Sequence, residues 1–489
     1  MTEVLTGADL ELRPGRGERS PWLREALAAE GDPPPLAPSP GPFQVDVAIV
    51  GGGYTGLWSA LELRRRAPEL QVAILEQDIC GGGSSGRNGG FVNAWWDELD
   101  TLVELYGEAR AVEAAREASR SVHAIGAWCE AHGVDAHFRH AGMLAVSTTP
   151  LHDDRPLGSV RVAQRLGVGE ELVALTPEAV ALRCRSPEFR GGALMRDGAT
   201  VQPALLARGL RRVALEHGVV IHEGTRVEPR VRRDGDGLRL TAISEHGQHE
   251  VRARQVVLAT NAWGIGWAPL KRAALAWGSY MVRSEPLSDV QLAELGWTGG
   301  ESIYTARFNV EYVHVTRDRC IAIGSGGGLP GYNGRIGSVF TDDIGSARRA
   351  ARAFRTLFPQ LREVRLTDAW GGPIDVSGDH LPRFGSVPGM PLHYAIGFSG
   401  NGVGPSHLAG RVLAALALGS DEPLTRLALV SRPPRRLPPE PFRYIGARIL
   451  RAAIVRREGD EMAGRRPPWW LRQFTALPRR LGYHLGPSP

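Results

Sequence analysis

Short apolar runs alternate along the chain with longer stretches in which apolar residues recur every three or four positions, the pattern of strands exchanging with helices. Residues 45–50 form a β-branched run closed by glycines, which predicts a buried strand. A helix should follow over 55–67, stopped by Pro68, and 71–76 then reads as a second strand. Strand, helix and strand at this spacing make a βαβ unit, hence a parallel sheet with a right-handed crossover. Residues 96–131 are mostly helical in pattern, with Val122, Ile125, Trp128 and Cys129 at helical spacing and Gly133 as a stop. Residues 202–217 predict another helix. Residues 219–257 alternate as a β-meander turning at Asp234, Gly235, Asp236 and Gly237, and lead into a further buried strand over 255–259. Residues 276–326 are strand-rich: Phe308, Val310, Tyr312 and His314 alternate on one face, and residues 317–319 turn the chain into a strand over 320–324. A helix is expected over 341–358.

The two ends differ from the body. Residues 1–42 read as an arm with one short helix, 21–29, followed by a proline-rich extended stretch. Residues 430–489 are rich in Arg and Pro, with an amphipathic helix near 442–457. No internal repeat is present. These elements predict an α/β protein with a discontinuous Rossmann-like dinucleotide-binding domain (43–100, 195–265 and 366–425). A second, α+β substrate domain on an antiparallel sheet would use 101–194 and 266–365, leaving 1–42 as the arm and 426–489 as an extension.

Chemistry enters at the end of the first strand. Gly51, Gly53 and Gly56 form a G-x-G-x-x-G between that strand and the following helix. The first glycine permits the tight turn, the second lets backbone approach a pyrophosphate, and the third lets helix and strand pack closely. The helix start offers N–H groups and partial positive charge to phosphates. Glu76 closes the second strand, where an acid can bind an adenosine ribose hydroxyl and repels a 2′-phosphate, which disfavours NADP.

Four further segments separate FAD from NAD. The run of residues 82–90, the segment 256–263, the stretch 370–382 and the segment 394–403 resemble, in order, motifs of the D-amino-acid oxidase superfamily of FAD-dependent oxidoreductases. Within it the chain looks most like the γ-glutamylputrescine oxidoreductase group. The resemblance implies that Gly51, Gly53 and Gly56 hold the pyrophosphate and Glu76 the ribose. It puts Ser84, Ser85, Arg87, Asn88, Gly89 and Gly90 along the pyrophosphate and flavin, Val227 at the adenine, and Thr260 in the cofactor segment. Gly400, Asn401, Gly402 and Val403 would lie beside the isoalloxazine at a helix start. It also implies oxidation of an amine by hydride transfer to flavin N5, giving an imine that hydrolyses. Tyr280, Tyr312, His314 and Asn401 are the candidates for the substrate face.

Three departures refine this. Where amino-acid oxidases of the superfamily commonly place a carboxylate-gripping arginine, this chain has Gly371, Gly372, Pro373 and Ile374, which favours a primary or secondary amine, polyamine-type or related. No cysteine follows Cys320, so FAD should be non-covalent. The one lysine, Lys271, precedes the strand-rich segment, which leaves oxygen and another electron acceptor both open. The alternatives are a D-amino acid or glycine oxidase, or a flavoprotein subunit or redox sensor without independent turnover.

Bulk properties alter little. The net charge of +5 rests almost wholly on arginine and shows no clustered nucleic-acid footprint. Four scattered cysteines form no CxxC pair and fit a reducing, cytoplasmic setting. No window has the length or apolarity of a transmembrane span or a signal peptide. Cys129, His132, His137 and His140 fit no common zinc spacing, so no metal is expected. Ser84 also satisfies G-x-S-x-G, but no strand leads straight into it, as a hydrolase elbow requires. The tail helix is expected to pack back on the body in preference to lying on a membrane.

Overall fold

The computed structural model describes residues 5–15 and 19–484; the other residues of the arm and extension lie outside it. Its first sheet is built on five parallel strands, in the order Val220–His222, Val72–Leu75, Phe43–Val50, Gly247–Leu258 and Leu392–Ile396. Val72–Leu75 is buried at every position, as expected of a strand covered on both faces. The first strand pairs in register with both neighbours, Ile49 opposite Ile74 and Val257. Tyr54–Arg66 is the crossover helix. Gly247–Leu258 is longer than expected. No turn residue interrupts it near 255, so the last hairpin strand and the buried strand are one. Its first half pairs antiparallel with Gly237–Ser244, and its end pairs parallel with Leu392–Ile396.

The second sheet has eight strands, with Leu366–Ser377 at one edge beside Ala274–Ser284, then Ile321–Ser325, Glu311–Val315 and Ser302–Thr305. It is antiparallel except where Ser302–Thr305 runs parallel to Met143–Val146. Leu366–Ser377 pairs along the whole of Ala274–Ser284, so this segment, expected with the cofactor domain, belongs to the second sheet. Phe308 and Val310 lie in the loop before Glu311–Val315, not in the strand.

The predicted helices form with small shifts: Pro21–Ala29, Pro203–Glu216 and Ile344–Leu357. The 96–131 stretch is two helices, Leu99–Tyr106 and Glu108–Ala131, broken at Gly107 with φ 81°. A helix not foreseen, Gly7–Glu11, is closed by reciprocal Thr6–Asp9 hydrogen bonds. It is pinned by Arg355, whose Nε and Nη2 each donate to Asp9 at 2.8 Å in a buried, bidentate pair. Arg355→Ala would strand that carboxylate in the core and should cost about 3–5 kcal/mol in urea unfolding. A loss below about 1 kcal/mol would show the pair to be idle.

The tail helix runs to Met462, past the predicted end at 457, because Glu458 and Glu461 point inward. Glu458 accepts from Asn309, and Glu461 from His152, Arg155 and Arg457. Burial alone would raise Glu461, but these donors hold it down at about 2. The tail therefore packs on the body. A second tail helix, Trp469–Arg480, was masked in the sequence by its internal Pro478.

Candidate active site

The glycine turn is dictated by close approach. Gly51 has φ 109°, and a Cβ there would come 2.5 Å from Ala259 O. A Cβ on Gly56 would overlap Gly51 O, so only glycine lets the helix sit against the strand end. Gly53 is less confined: its added Cβ would meet only Ser85 Oγ and Cβ, at 2.9 and 3.9 Å. Gly53 caps the helix without a side-chain acceptor, and Ser85 Oγ accepts from Tyr54 N at 3.0 Å. Just beyond Val72–Leu75, Glu76 accepts from Gly52 N at 2.7 Å and Asp78 N at 2.9 Å; burial raises it to about 7. Thr260 adjoins Gly51, and Thr225 N bonds Glu76 O, which brings Val227 on Arg226–Asp234 near the same strand end.

The serine turn lies next. Asn88 locks it: Nδ2 donates to Ser84 O and Ser85 O, while Oδ1 accepts from Gly90 N. Gly90 has φ 73°, and a Cβ there would overlap Val201 O. The arm helix holds the outside of the turn, with Ser20 Oγ donating to Gly86 O and Trp22 Nε1 to Asn88 O at 3.1 Å. Trp370 Nε1 and Arg87 tie the turn to the second sheet through Arg87 O and Gly371 O.

Two residues that the sequence reading left without a role join these pieces. Asp375 is fully buried and accepts from Gly397 N, Phe398 N and Asn261 Nδ2. Asn261 Oδ1 accepts from Ser84 Oγ at 3.1 Å, and Ser84 Oγ also donates to Pro373 O at 2.7 Å. One carboxylate thus fastens the serine turn, the end of Gly247–Leu258 and the loop that starts the helix Val403–Ala417. Burial pushes Asp375 up to about 7 against its three donors. The signal was an acid within the mostly buried half of a strand.

A cavity of about 590 Å³ opens beside these turns. It is lined on one side by Ser84, Arg87, Asn88, Gly89, Gly400, Asn401 and Val403, so the structure brings the two expected segments together. Tyr312 forms another wall. Its hydroxyl bonds Ser279 Oγ at 2.8 Å, its ring meets Phe91 edge-on, and burial pushes it up to about 12. Gly89 and Gly324 make room for that ring, since a Cβ on either would strike it.

Tyr280 and His314 do not line the cavity. Along Ala274–Ser284 the residues facing it are Leu275, Trp277 and Ser279, so strand alternation sends Tyr280 to the opposite side. There its hydroxyl donates to Val339 O and accepts from Asp343 N. His314 lies behind Phe91, and burial lowers it to about 4, leaving a neutral ring.

The family model described as "FAD dependent oxidoreductase" matches residues 46–416. The chain belongs to the FAD-dependent oxidoreductase family. Gamma-glutamylputrescine oxidoreductase of Escherichia coli is 27% identical over 417 residues, covering 84% of this chain and 90% of that protein. Among solved structures, L-proline dehydrogenase of P. horikoshii is similar with a TM-score of 0.64 at 20% identity, over 78% of this chain and 96% of the other. Glycine oxidase of Geobacillus kaustophilus gives 0.63 at 22% identity, over 80% and 99%. The chain therefore shares the fold of these two proteins.

For a member of this family, the cradle fits its cofactor: glycines 51 and 56 leave backbone where a Cβ would collide, at the start of an uncapped helix. None of the four buried thiols lines the cavity, and Lys271 is exposed outside it. Opposite the turns the wall is acidic. Asp97, Glu98 and Asp100 line it, unsingled by the sequence because they lie inside a stretch read as helix. Asp97 Oδ2 accepts from Tyr304 at 2.9 Å, and Oδ1 has no hydrogen-bond partner among the described residues. Burial, then the charge of Glu98, raises Asp97 to about 7.

The signals set aside in the sequence have structural accounts. Ser84 shares its proton between Pro373 O and Asn261 Oδ1. Cys129 is buried and His132 stacks on Trp128. His140 instead joins His123 and Asp197, with Nε2 of His123 2.9 Å from Asp197 Oδ1. No helix among the described residues is long and apolar enough to cross a membrane.

Proposed function

We propose that this chain oxidises a primary or secondary amine of polyamine type, with FAD held non-covalently across the glycine turn, the serine turn and the start of the helix Val403–Ala417. In this reading Gly51, Gly53 and Gly56 meet the pyrophosphate, Glu76 the ribose and Val227 the adenine; Gly400, Asn401, Gly402 and Val403 border the flavin. The carrying observation is how the charged groups of the cavity wall are partnered. Each arginine on its wall is engaged: Arg87 with Gly82 O, Arg155 with Glu461 and Ala306 O, Arg443 with Glu440, and Arg451 with Gly327 O and Gly328 O. Asp97 Oδ1 is unmet. The site therefore welcomes a cation more than a free carboxylate.

Bound there, FAD supplies the two-electron, hydride-accepting chemistry at N5. The chain's part is placement. Asp97 and Glu98 grip a distal ammonium, Tyr312 and Phe91 form an apolar flank for the methylene chain, and the buried walls exclude water from the carbon that is oxidised. A diamine suits this arrangement, one nitrogen reacting as the neutral amine while the other stays charged. A reducing cytoplasm suits the four unpaired thiols.

The test is an anaerobic screen following flavin absorbance against diamines, monoamines, glycine and D-amino acids. Bleaching by diamines first supports the reading; bleaching by amino acids alone replaces it with amino acid oxidation. Loss of colour by none of them assigns the chain to a non-catalytic or partner-coupled role. Peroxide formed on readmitting air identifies oxygen as acceptor, and recovery only with an artificial acceptor identifies a dehydrogenase.

A further inference from the structure

The tail packs by one face and leaves another uncovered. Along Phe442–Met462, the inward stripe contains Arg443, Ile454, Glu458 and Glu461. The outward stripe contains Phe442, Ile445 and Ile449, with Phe442 70% exposed. Trp469 and Trp470 begin the second tail helix, and Trp469 is likewise 70% exposed. The helices are joined where Arg457 Nη1 donates to Thr475 Oγ1 at 2.9 Å and Arg456 stacks over the Trp470 ring. Single exposed apolar residues need no explanation, but two tryptophans, a phenylalanine and several aliphatics on two joined helices form a patch.

Charge is sorted around that patch. The four acids of residues 432–484 are turned into pairs: Glu440 with Arg443, Glu458 with Asn309, Asp460 with Arg465, Glu461 with His152. The exposed charges that remain are arginines, among them Arg448, Arg456, Arg466 and Arg480. An apolar face with aromatic residues and a cationic rim is the make-up of a helix that lies in the headgroup zone of an anionic bilayer. No described helix is long and apolar enough to cross the bilayer.

The cavity opens in this patch. Phe442, Phe474, Leu477 and Leu481 are all exposed and all line the cavity, so its mouth lies between the two tail helices. We infer that the tail hairpin docks the protein on the surface of an anionic lipid bilayer, with the mouth of the catalytic cavity facing the headgroups. The argument rests on different residues from the amine reading and borrows from it only the catalytic role of the cavity.

The experiment is co-sedimentation of the full-length, flavin-loaded protein with two sets of vesicles, one of pure phosphatidylcholine, one of phosphatidylcholine and phosphatidylglycerol in equal parts. Binding to the second set, weakened by high salt, is expected. The variant I445S/I449S/W469S changes exposed residues outside the cavity lining. It should bind those vesicles about tenfold or more weakly, while flavin content and turnover of a soluble amine stay at wild-type levels. R448E/R466E should weaken binding similarly, with the apolar face intact. The proposal falls if wild type ignores both vesicle sets, if binding is indifferent to phosphatidylglycerol, or if the triple variant binds as well as wild type. It also falls if wild type is a dimer that the triple variant converts to monomer without any vesicle binding, because the face then belongs to a second copy.

Discussion

Gly56→Val should yield a folded but colourless protein. A side chain at 56 meets Gly51 O at overlapping distance and Ile49 Cγ2 at 3.2 Å, both parts of the strand and turn that shape the cradle. Neither is the free end of a flexible side chain, so the helix start must move away from the strand. Overpacking of this kind costs about 1–3 kcal/mol or more. If that falls on the bound state, affinity for FAD drops by about ten- to a hundredfold, at 1.4 kcal/mol per factor of ten. The comparison is Gly53→Ala, whose Cβ would meet Ser85 Oγ at 2.9 Å, a hydroxyl that can rotate aside. It should keep most of the flavin. Absorbance at purification, titration with added FAD and circular dichroism distinguish lost binding from lost folding. Full flavin content in Gly56→Val would remove the basis for the cofactor assignment.

Asp97→Asn should lower kcat/KM for a diamine by about ten- to a hundredfold, mostly through KM. The variant keeps shape and the Tyr304 contact but loses the charge, and a hydrogen bond to a charged group is worth about 1.5–3 kcal/mol. The pH profile carries the same information. With Asp97 raised to about 7, protonation below that pH removes the charge, so KM for a diamine should rise as pH falls from 8 to 6 in wild type. In the variant only the shallower rise from protonation of the reacting amine should remain. Stability moves in the opposite sense. An acid whose folded value exceeds its ordinary 3.8 contributes stability below that value, lost as pH rises towards 7. The variant should therefore gain on wild type across that window. Equal KM profiles in both proteins would show that Asp97 does not meet the substrate.

The glycine turn was legible in the sequence because its chemistry demands one residue type at fixed spacing beside a strand that reads clearly as buried. Gly51 and Gly56 fall where backbone must touch backbone, and no other residue can answer. The segments ending at Gly90 and Val403 were legible by resemblance, and they do share the cavity. The substrate wall was less so. Alternation along a strand gives two faces but does not say which one looks inward. Tyr280 was placed on the cavity side, whereas Trp277 and Ser279 occupy it. Phe308 and Val310 reach the cavity from a loop, where periodicity has no meaning. Asp97 and Asp375 escaped for another reason: their roles come from groups that are distant along the chain, Tyr304 for one and Asn261 with Gly397 for the other. Glu458 and Glu461 lie past the end expected for the tail helix and prove to be its anchors.

The clasp formed by Asp375 bears on how the protein is made. Its partners are Asn261, Gly397 and Phe398, and the strand Leu392–Ile396 joins the parallel sheet only at the end of Gly247–Leu258. A chain still emerging from the ribosome can form the first βαβ unit early, but it lacks the closing strand and the helix Val403–Ala417 until some 400 residues are out. The cavity beside the glycine and serine turns is therefore completed only then. Until then only the end of Gly247–Leu258, at Val256, Val257 and Leu258, stands open to mispairing, since its first half is already covered by Gly237–Ser244.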